Sequence, residues 1–262
     1  MGTVAGTNGD DFIVNNANIS NAHLSGGNGN DVIINNGNVN VISTENGDDI
    51  VVNNAQVKKQ ISGGNGDDML INYGTTGVLS AENGDDVILN KGTVTKQLSG
   101  GDGNDKITNS GNVNLITAEN GNDTISNSGN VGNISGGDGN DKITNSGVVN
   151  GNITAENGND TITNSGKAGR ISGGNDNDNI TNSGTVYDRI TGEDGDDTIV
   201  STGLAGLISG GNGTNKIKNT GKARKILNEQ AIIIKNGKCY KNGKLYSGKY
   251  NGKQYKNGVL VK

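Results

Sequence analysis

The chain has 262 residues, with 22 Lys+Arg against 27 Asp+Glu for a net charge of −5, one His, one Cys and no Pro or Trp. Apolar residues reach 29% and aromatics 3%; the roughly 45–50% of an ordinary globular chain counts Gly, and here Gly fills much of that share, so the side chains that build an ordinary enzyme core are scarce. A single histidine (His23) and a single cysteine (Cys239) exclude a Cys/His zinc cluster, a multi-histidine metal site and a disulfide framework, and no apolar run approaches the roughly 18 residues of a membrane span.

At the N-terminus, Met1 to Asn8 has neither a basic n-region nor an apolar h-region, so no signal peptide of the usual kind is expected. From about Val4 to Leu227 one unit then repeats, and this order explains the excess of 46 Gly and 46 Asn as turn chemistry rather than disorder. Its marker glycine falls at Gly9, Gly29, Gly47, Gly66, Gly84, Gly103, Gly121, Gly139, Gly158, Gly195 and Gly213, with Asp176 in the remaining slot. Intervals are 18 or 19 residues after a first one of 20, giving twelve units.

Two residues after each marker stands an acid: Asp11, Asp31, Asp49, Asp68, Asp86, Asp105, Asp123, Asp141, Asp160, Asp178 and Asp197, with Asn215 ending the series. Two further on is an aliphatic column from Ile13 through Ile107 to Ile217, and that step of two is a strand period. A second column runs from Ile19 through Val113 to Ala223, a third from Leu24 through Ile116 to Ile226. Between the first two an asparagine recurs, at Asn35, Asn53, Asn72, Asn90, Asn109, Asn127, Asn145, Asn164, Asn182 and Asn219.

A unit of this length cannot bury its own apolar face, but it can once coiled round an axis and stacked on copies of itself. The predicted fold is therefore all-β, a parallel β-solenoid of about 12 turns of 18–19 residues. Stacked amides hydrogen-bond turn to turn, and the absence of Pro suits strands paired on both sides.

The acids point to a cation. Carboxylates one turn apart, about 4.8 Å, repel by about 3.5 kcal/mol per neighbouring pair at an effective dielectric near 20. Two stacked Gly-rich loops offer carboxylates and free carbonyls at the scale a calcium ion needs, six to eight oxygens at about 2.3–2.6 Å, where magnesium is too small and too strict. The eleven acids from Asp11 to Asp197 are thus candidate ligands for multiple calcium sites.

The loops starting at Gly26, Gly63, Gly100 and Gly136, of which Gly26-Gly27-Asn28-Gly29-Asn30-Asp31-Val32-Ile33-Ile34 is the first, match the G-G-x-G-x-D-x-U-x nonapeptide in full. Here the chain resembles the RTX, or haemolysin-type, calcium-binding repeat family. Loops from Gly173 and Gly210 depart from it, through Asp176 and Asn215. Intervening units replace Gly-Gly by Thr44-Glu45, Ala81-Glu82, Ala118-Glu119, Ala155-Glu156 and Gly192-Glu193, so the true period is a pair of turns. With only one half of each turn carrying the nonapeptide, the chain is similar to bacterial adhesin and ice-binding RTX domains. The alternating Glu is read either as an extra ligand or as a solvated flank.

After Leu227 the composition changes: 228–262 holds eight Lys and one acid, a charge of +7, which leaves 14 − 26 = −12 for residues 1–227. Four Asn-Gly pairs between runs bearing Tyr240, Tyr246, Tyr250 and Tyr255 signal tight hairpins, hence a small C-terminal β-meander. This second unit is read as a cap on the solenoid end, with Ile232, Ile233 and Ile234 pairing with the last turn; the competing reading is a binding tail for cell-surface or anionic polymer. His23 is placed at a surface corner and Cys239 is read as an idle thiol.

No catalytic acid and base stand out among carboxylates found everywhere, and no phosphate loop occurs, so no enzyme is expected. Neither a nucleic-acid partner nor a membrane span is expected. The function expected is that of an extracellular, bacterial cell-surface protein of adhesin type, a rod stabilised by calcium ions bound between stacked turns. The alternatives are the non-catalytic repeat domain of a secreted enzyme or toxin, and an ice-binding domain. An outward Thr column (Thr108, Thr144, Thr163, Thr181) suits ice, yet Ile34, Val52, Ile71 and Leu89 interrupt it.

Overall fold

The computed structural model describes residues 2–227, 233–235, 238–241, 244–245, 247–250, 253–257 and 259–260. Each repeat contributes one short and one long strand, and stacking gathers them into two parallel sheets that run the length of the repeat region. The short strands, from Phe12–Asn15 to Lys216–Asn219, form a 12-stranded sheet in sequence order. The long ones, from Thr3–Ala5 to Lys222–Leu227, form a 13-stranded sheet in the same order. This is the expected parallel solenoid of about twelve turns, without a helix among the described residues.

In the short strands every second residue points inward. In Lys106–Asn109 the inward pair is Ile107 and Asn109, both fully buried, while Lys106 and Thr108 face out. The long strand of each turn adds two inward apolar positions, such as Val113 and Ile116. Three apolar side chains per turn make a continuous core from Leu24 to Ile208. At its last turn the core opens: Ile226 is exposed, and among the described residues only one neighbouring turn pairs with its strand.

Turns of 18 and 19 residues stay in register because the extra residue is absorbed at one place. The long strands Gln56–Asn65, Thr93–Asp102, Val148–Asn157 and Thr185–Asp194 have 10 residues where others have 9, and pairing slips between Val94 and Gln97 and at the equivalent places. A β-bulge of this kind lodges one residue without moving the strand ends. Loop glycines, acids and core columns therefore superpose turn upon turn.

The asparagine column forms the amide ladder the sequence implies. Asn90 Nδ2 donates to Asn109 Oδ1 at 2.7 Å, and Asn109 Nδ2 donates both to Asn127 Oδ1 at 2.8 Å and to the Gly111 carbonyl at 3.2 Å. The ladder also takes in Asn15 at its start and passes to Ser201 Oγ beyond Asn182. The glycine two residues on is required by closeness: a Cβ on Gly111 would overlap the Gly92 carbonyl of the turn before.

In the tail, Ile233–Lys235 pairs antiparallel with Lys238–Lys241, which pairs with Lys244–Leu245; Gly248–Tyr250, Lys253–Lys256 and Val259–Leu260 form a second antiparallel set. The hairpins are as expected, but the expected pairing of Ile233 and Ile234 with the last solenoid turn is not found. Among the described residues, Ile233 and Ile234 take Tyr240 and Cys239 as antiparallel partners instead. Ile232 and the side chain of Cys239 lie outside the described residues. His23 is also corrected: it sits half-buried in the long strand His23–Asn28, aligned with Val41, not at a corner.

Replacing Asn109 by Ala removes the ladder bonds from Asn90 and to Asn127, leaving Asn90 Nδ2 only the Gly92 carbonyl at 3.3 Å and Asn127 Oδ1 only the Gly129 N–H at 3.1 Å, and it takes the acceptor from the Gly111 N–H, at a cost of about 1–3 kcal/mol. Asn112→Ala, on the exposed outside of the next corner, is expected to cost under about 0.5 kcal/mol. Paired thermal melts of the two variants check this, and equal melting temperatures would contradict it.

Candidate metal centre

The acid of each loop stands where a short strand begins, and its two oxygens have different fates. Oδ1 accepts the backbone N–H of the acid one turn earlier: Asp68 N donates to Asp86 Oδ1 at 2.6 Å, Asp86 N to Asp105 Oδ1 at 2.9 Å, Asp105 N to Asp123 Oδ1 at 2.6 Å. The same bond links every step from Asp11 to Asp197 and passes to Asn215 Oδ1 at 2.7 Å. One oxygen being fixed, the other is aimed inward. Oδ2 of Asp31, Asp49, Asp68, Asp86, Asp105, Asp123, Asp141, Asp160, Asp178 and Asp197 is buried without a hydrogen-bond partner.

The eleven predicted acids are thus brought into one column, though Asp11 differs. At the open end it is half-buried, and its Oδ2 accepts from Thr7 N at 2.5 Å and Thr7 Oγ1 at 3.0 Å. Asn215 offers an amide, whose Nδ2 donates to the Gly211 and Asn212 carbonyls.

Burial raises the carboxyl pKa of the ten buried acids from Asp31 to Asp197. Loss of hydration is the largest cause, neighbouring carboxylates add to it, and the N–H bond to Oδ1 opposes both. Asp68 and Asp178 are pushed up to about 8 and Asp105 and Asp141 to about 7. Asp49, Asp86, Asp123 and Asp160 reach about 6, and Asp31 and Asp197 are raised.

Backbone carbonyls supply the other oxygens. A Cβ added to Gly63 would overlap Asp68 Oδ2 and stand 2.7 Å from the Ala81 carbonyl oxygen of the next turn; at Gly100 the same position meets Asp105 Oδ2 and the Ala118 carbonyl at 2.9 Å. The space without a side chain is therefore faced by an orphan carboxylate oxygen and a carbonyl. Among the described residues no three His, Cys, Asp or Glu side chains gather into a metal cluster. A cation here would take carboxylate oxygens together with main-chain oxygens, the donor set of a hard ion such as calcium, and the residues fit it.

The alternating Glu at Glu45, Glu82, Glu119 and Glu156 is exposed, as the solvated-flank reading has it, and it also bonds across turns. Glu45 Oε1 accepts from Ser25 Oγ at 2.6 Å, and Glu82, Glu119 and Glu156 accept likewise from Ser62, Ser99 and Ser135. Glu193 takes Ser172 Oγ at 3.1 Å and the Arg170 guanidinium at 2.5 Å. Each Glu fastens its turn to the one before, from a backbone φ near +80° that non-glycine residues seldom adopt.

Two outward features frame the column. On the loop edge, exposed Asn and Asp side chains hydrogen-bond in rank: Asn46 to Asn28 at 2.9 Å, Asn65 to Asn46 at 2.7 Å, Asn83 to Asn65 at 2.8 Å, Asn120 to Asp102 at 2.7 Å, Asn175 to Asn157 at 2.6 Å. A second rank forms where side-chain oxygens accept the next turn's N–H, as from Asn122 N to Asn104 Oδ1 and Asn140 N to Asn122 Oδ1. On the outer face of the short-strand sheet, Phe12, Val14, Ile50, Met69 and Val87 are exposed beside half-buried Val32, Ile34, Val52, Ile71 and Leu89. The first five turns thus show an aliphatic stripe that gives way to Lys, Thr and Ser from Lys106 onward. In the sequence these residues register only as breaks in the Thr column, although two consecutive outward positions per strand were already apolar.

The fold is similar to the crystal structure of a hyperactive, Ca2+-dependent, β-helical antifreeze protein from an Antarctic bacterium, with a TM-score of 0.57 and 24% identity over 80% of each chain. No protein-family model matches the chain. No curated protein matches it either.

Because the folded-state pKa values lie above the ordinary 3.8, protonated carboxyls stabilise the metal-free fold below that value. The contribution is lost as pH rises through about 6 to about 8. In EDTA the melting temperature is expected to fall across about pH 5, 7 and 9. A melting temperature that climbs over the same range would contradict the assignment.

Proposed function

We propose that the chain is a non-catalytic, calcium-dependent β-solenoid that binds an extended, regular surface, with ice as its ligand. The observation that carries the calcium half is the column of ten buried, unpartnered Oδ2 atoms repeated once per turn. Left as anions without a counter-ion they cost too much to bury, and divalent ions taken up as the chain folds add their binding free energy to folding. Sites of this kind in extracellular modules work at about 10⁻⁴–10⁻³ M calcium, which fits a chain that acts outside the cell and folds where calcium is plentiful.

The ice half is supported by the likeness to the antifreeze protein and by the loop edge. Two ranks of Asn and Asp are locked turn to turn by hydrogen bonds, so donors and acceptors recur at the strand spacing of about 4.8 Å without ordering cost on contact. These ranks run more continuously than the Thr column at Thr108, Thr144, Thr163 and Thr181, which turns aliphatic in the first five turns.

A second reading, display of an adhesin-type surface, is favoured by that aliphatic stripe. Exposed apolar patches on a soluble protein mark contact sites, and the Lys-rich segment 228–262 would support retention at an anionic cell surface.

Thermal hysteresis and ice-recrystallisation assays at saturating calcium decide between the two. The ice reading expects activity that EDTA abolishes, that Asn122→Tyr on the loop edge lowers several-fold, and that Val52→Thr on the stripe leaves intact. Absence of hysteresis in the calcium-loaded protein would overturn it, and loss through Val52→Thr alone would move the binding face to the stripe.

A further inference from the structure

The two-turn period of the loops has a consequence for where ions sit. The inward corner residue is glycine at Gly26, Gly63, Gly100, Gly136, Gly173 and Gly192, and in each case a Cβ would overlap an unpartnered Oδ2 of the Asp five residues on; Gly6 of the first turn stands likewise against Asp11 Oδ2, but that oxygen already accepts from Thr7 and the turn is not counted. The same position faces the next turn's carbonyl, at 2.7 Å for Gly63 and Gly136, 2.9 Å for Gly100 and 2.8 Å for Gly173. In the intervening turns the corner residue is Thr44, Ala81, Ala118 or Ala155, all fully buried, so a methyl or hydroxyl-bearing side chain occupies the place that in the glycine turns is left to Asp Oδ2 and the next turn's carbonyl oxygen. Thr44 goes further and donates its hydroxyl to the Gly63 carbonyl at 2.8 Å.

Resting on the calcium reading, we infer that the ions occupy only the glycine turns, one ion for each pair of turns through the body of the stack. Charge balance agrees. Two buried carboxylates carry two negative charges, which one divalent ion neutralises, whereas an ion in every turn would leave one net positive charge per turn in a buried column, at the cost that burying unpaired charge carries. Asp49, Asp86, Asp123 and Asp160 then stand between ions, each flanked by one on either side. The Glu of those turns spends its Oε1 on the Ser hydroxyl of the turn before.

The test is an ion count on the full chain, stripped with chelator, reloaded with calcium and measured by elemental analysis, with variants at both kinds of turn. The expected count is six, one for each named glycine turn, against ten if every buried Asp held its own ion. Gly100→Ala is expected to lose one ion with its β-structure intact, because its φ is ordinary and Ala81 and Ala118 occupy the same register in the neighbouring turns. Ala118→Gly is expected to gain one, and this arm stands even if Gly100→Ala fails to fold. A count of ten, or no change of count in Ala118→Gly, would overturn the inference while leaving calcium dependence intact. Zero ions at any calcium concentration would overturn the calcium reading and this inference with it.

Discussion

Ten carboxylate oxygens buried in a single file, each without a partner, set the terms for everything else in this structure. Each carboxylate gives one oxygen to the N–H of the preceding acid, and that bond both ties the turns together and aims the other oxygen inward. The stack that the bonds hold is therefore also the stack that brings like charges within about 4.8 Å of one another. A fold built this way is conditional: protons relieve the column at low pH, and on the proposed calcium reading a divalent cation relieves it at neutral pH.

The rest of the cross-section is arranged to keep that column in line. Three apolar side chains per turn make a core only a few residues wide, so packing alone provides little margin. The Asn ladder adds a dry hydrogen-bonded seam at the opposite corner, and the Glu to Ser bonds fasten turns in pairs on the outside. The β-bulges matter because they take up the nineteenth residue within a long strand rather than at the acid corner. A residue inserted at that corner would shift every following carboxylate against its N–H donor. As nearest-neighbour contacts carry the stability, a defect in the middle of the stack weakens two interfaces and one at the end weakens one.

Much of this was legible in the sequence, because repetition turns a weak pattern into a column. One Asp after a glycine says little, whereas eleven in phase with Ile columns two residues on define a corner and a strand. What escaped was information that no single column holds. The paired-turn period was visible in Gly-Gly against Ala-Glu, but the role of the first glycine, which leaves room for Oδ2 of Asp68 or Asp105 where a Cβ would stand, depends on where the carboxylate and the next turn's carbonyl lie. The Glu partners were hidden because Ser62 and Glu82 are neighbours only across a turn boundary. Among the described residues, Ile226 reads as core by column yet is exposed with one neighbouring turn paired to its strand, and Ile233 pairs with Tyr240 rather than with the last solenoid turn. The aliphatic stripe lies in the same outward column as Thr108 and Thr144, so in the sequence Ile34, Val52 and Ile71 read as interruptions of that column.

The most direct test of the account follows the fold itself as the column is neutralised. The full chain, stripped with chelator and held at about pH 8, where the buried carboxyls are deprotonated on unfolding and strained when folded, is titrated with calcium while far-UV circular dichroism is recorded. The account predicts a largely disordered spectrum without the ion and a cooperative rise of β-signal as calcium reaches the millimolar range. A full β-spectrum in chelator, unchanged by calcium, would show that the column carries no charge in need of a cation and would contradict the account at its base.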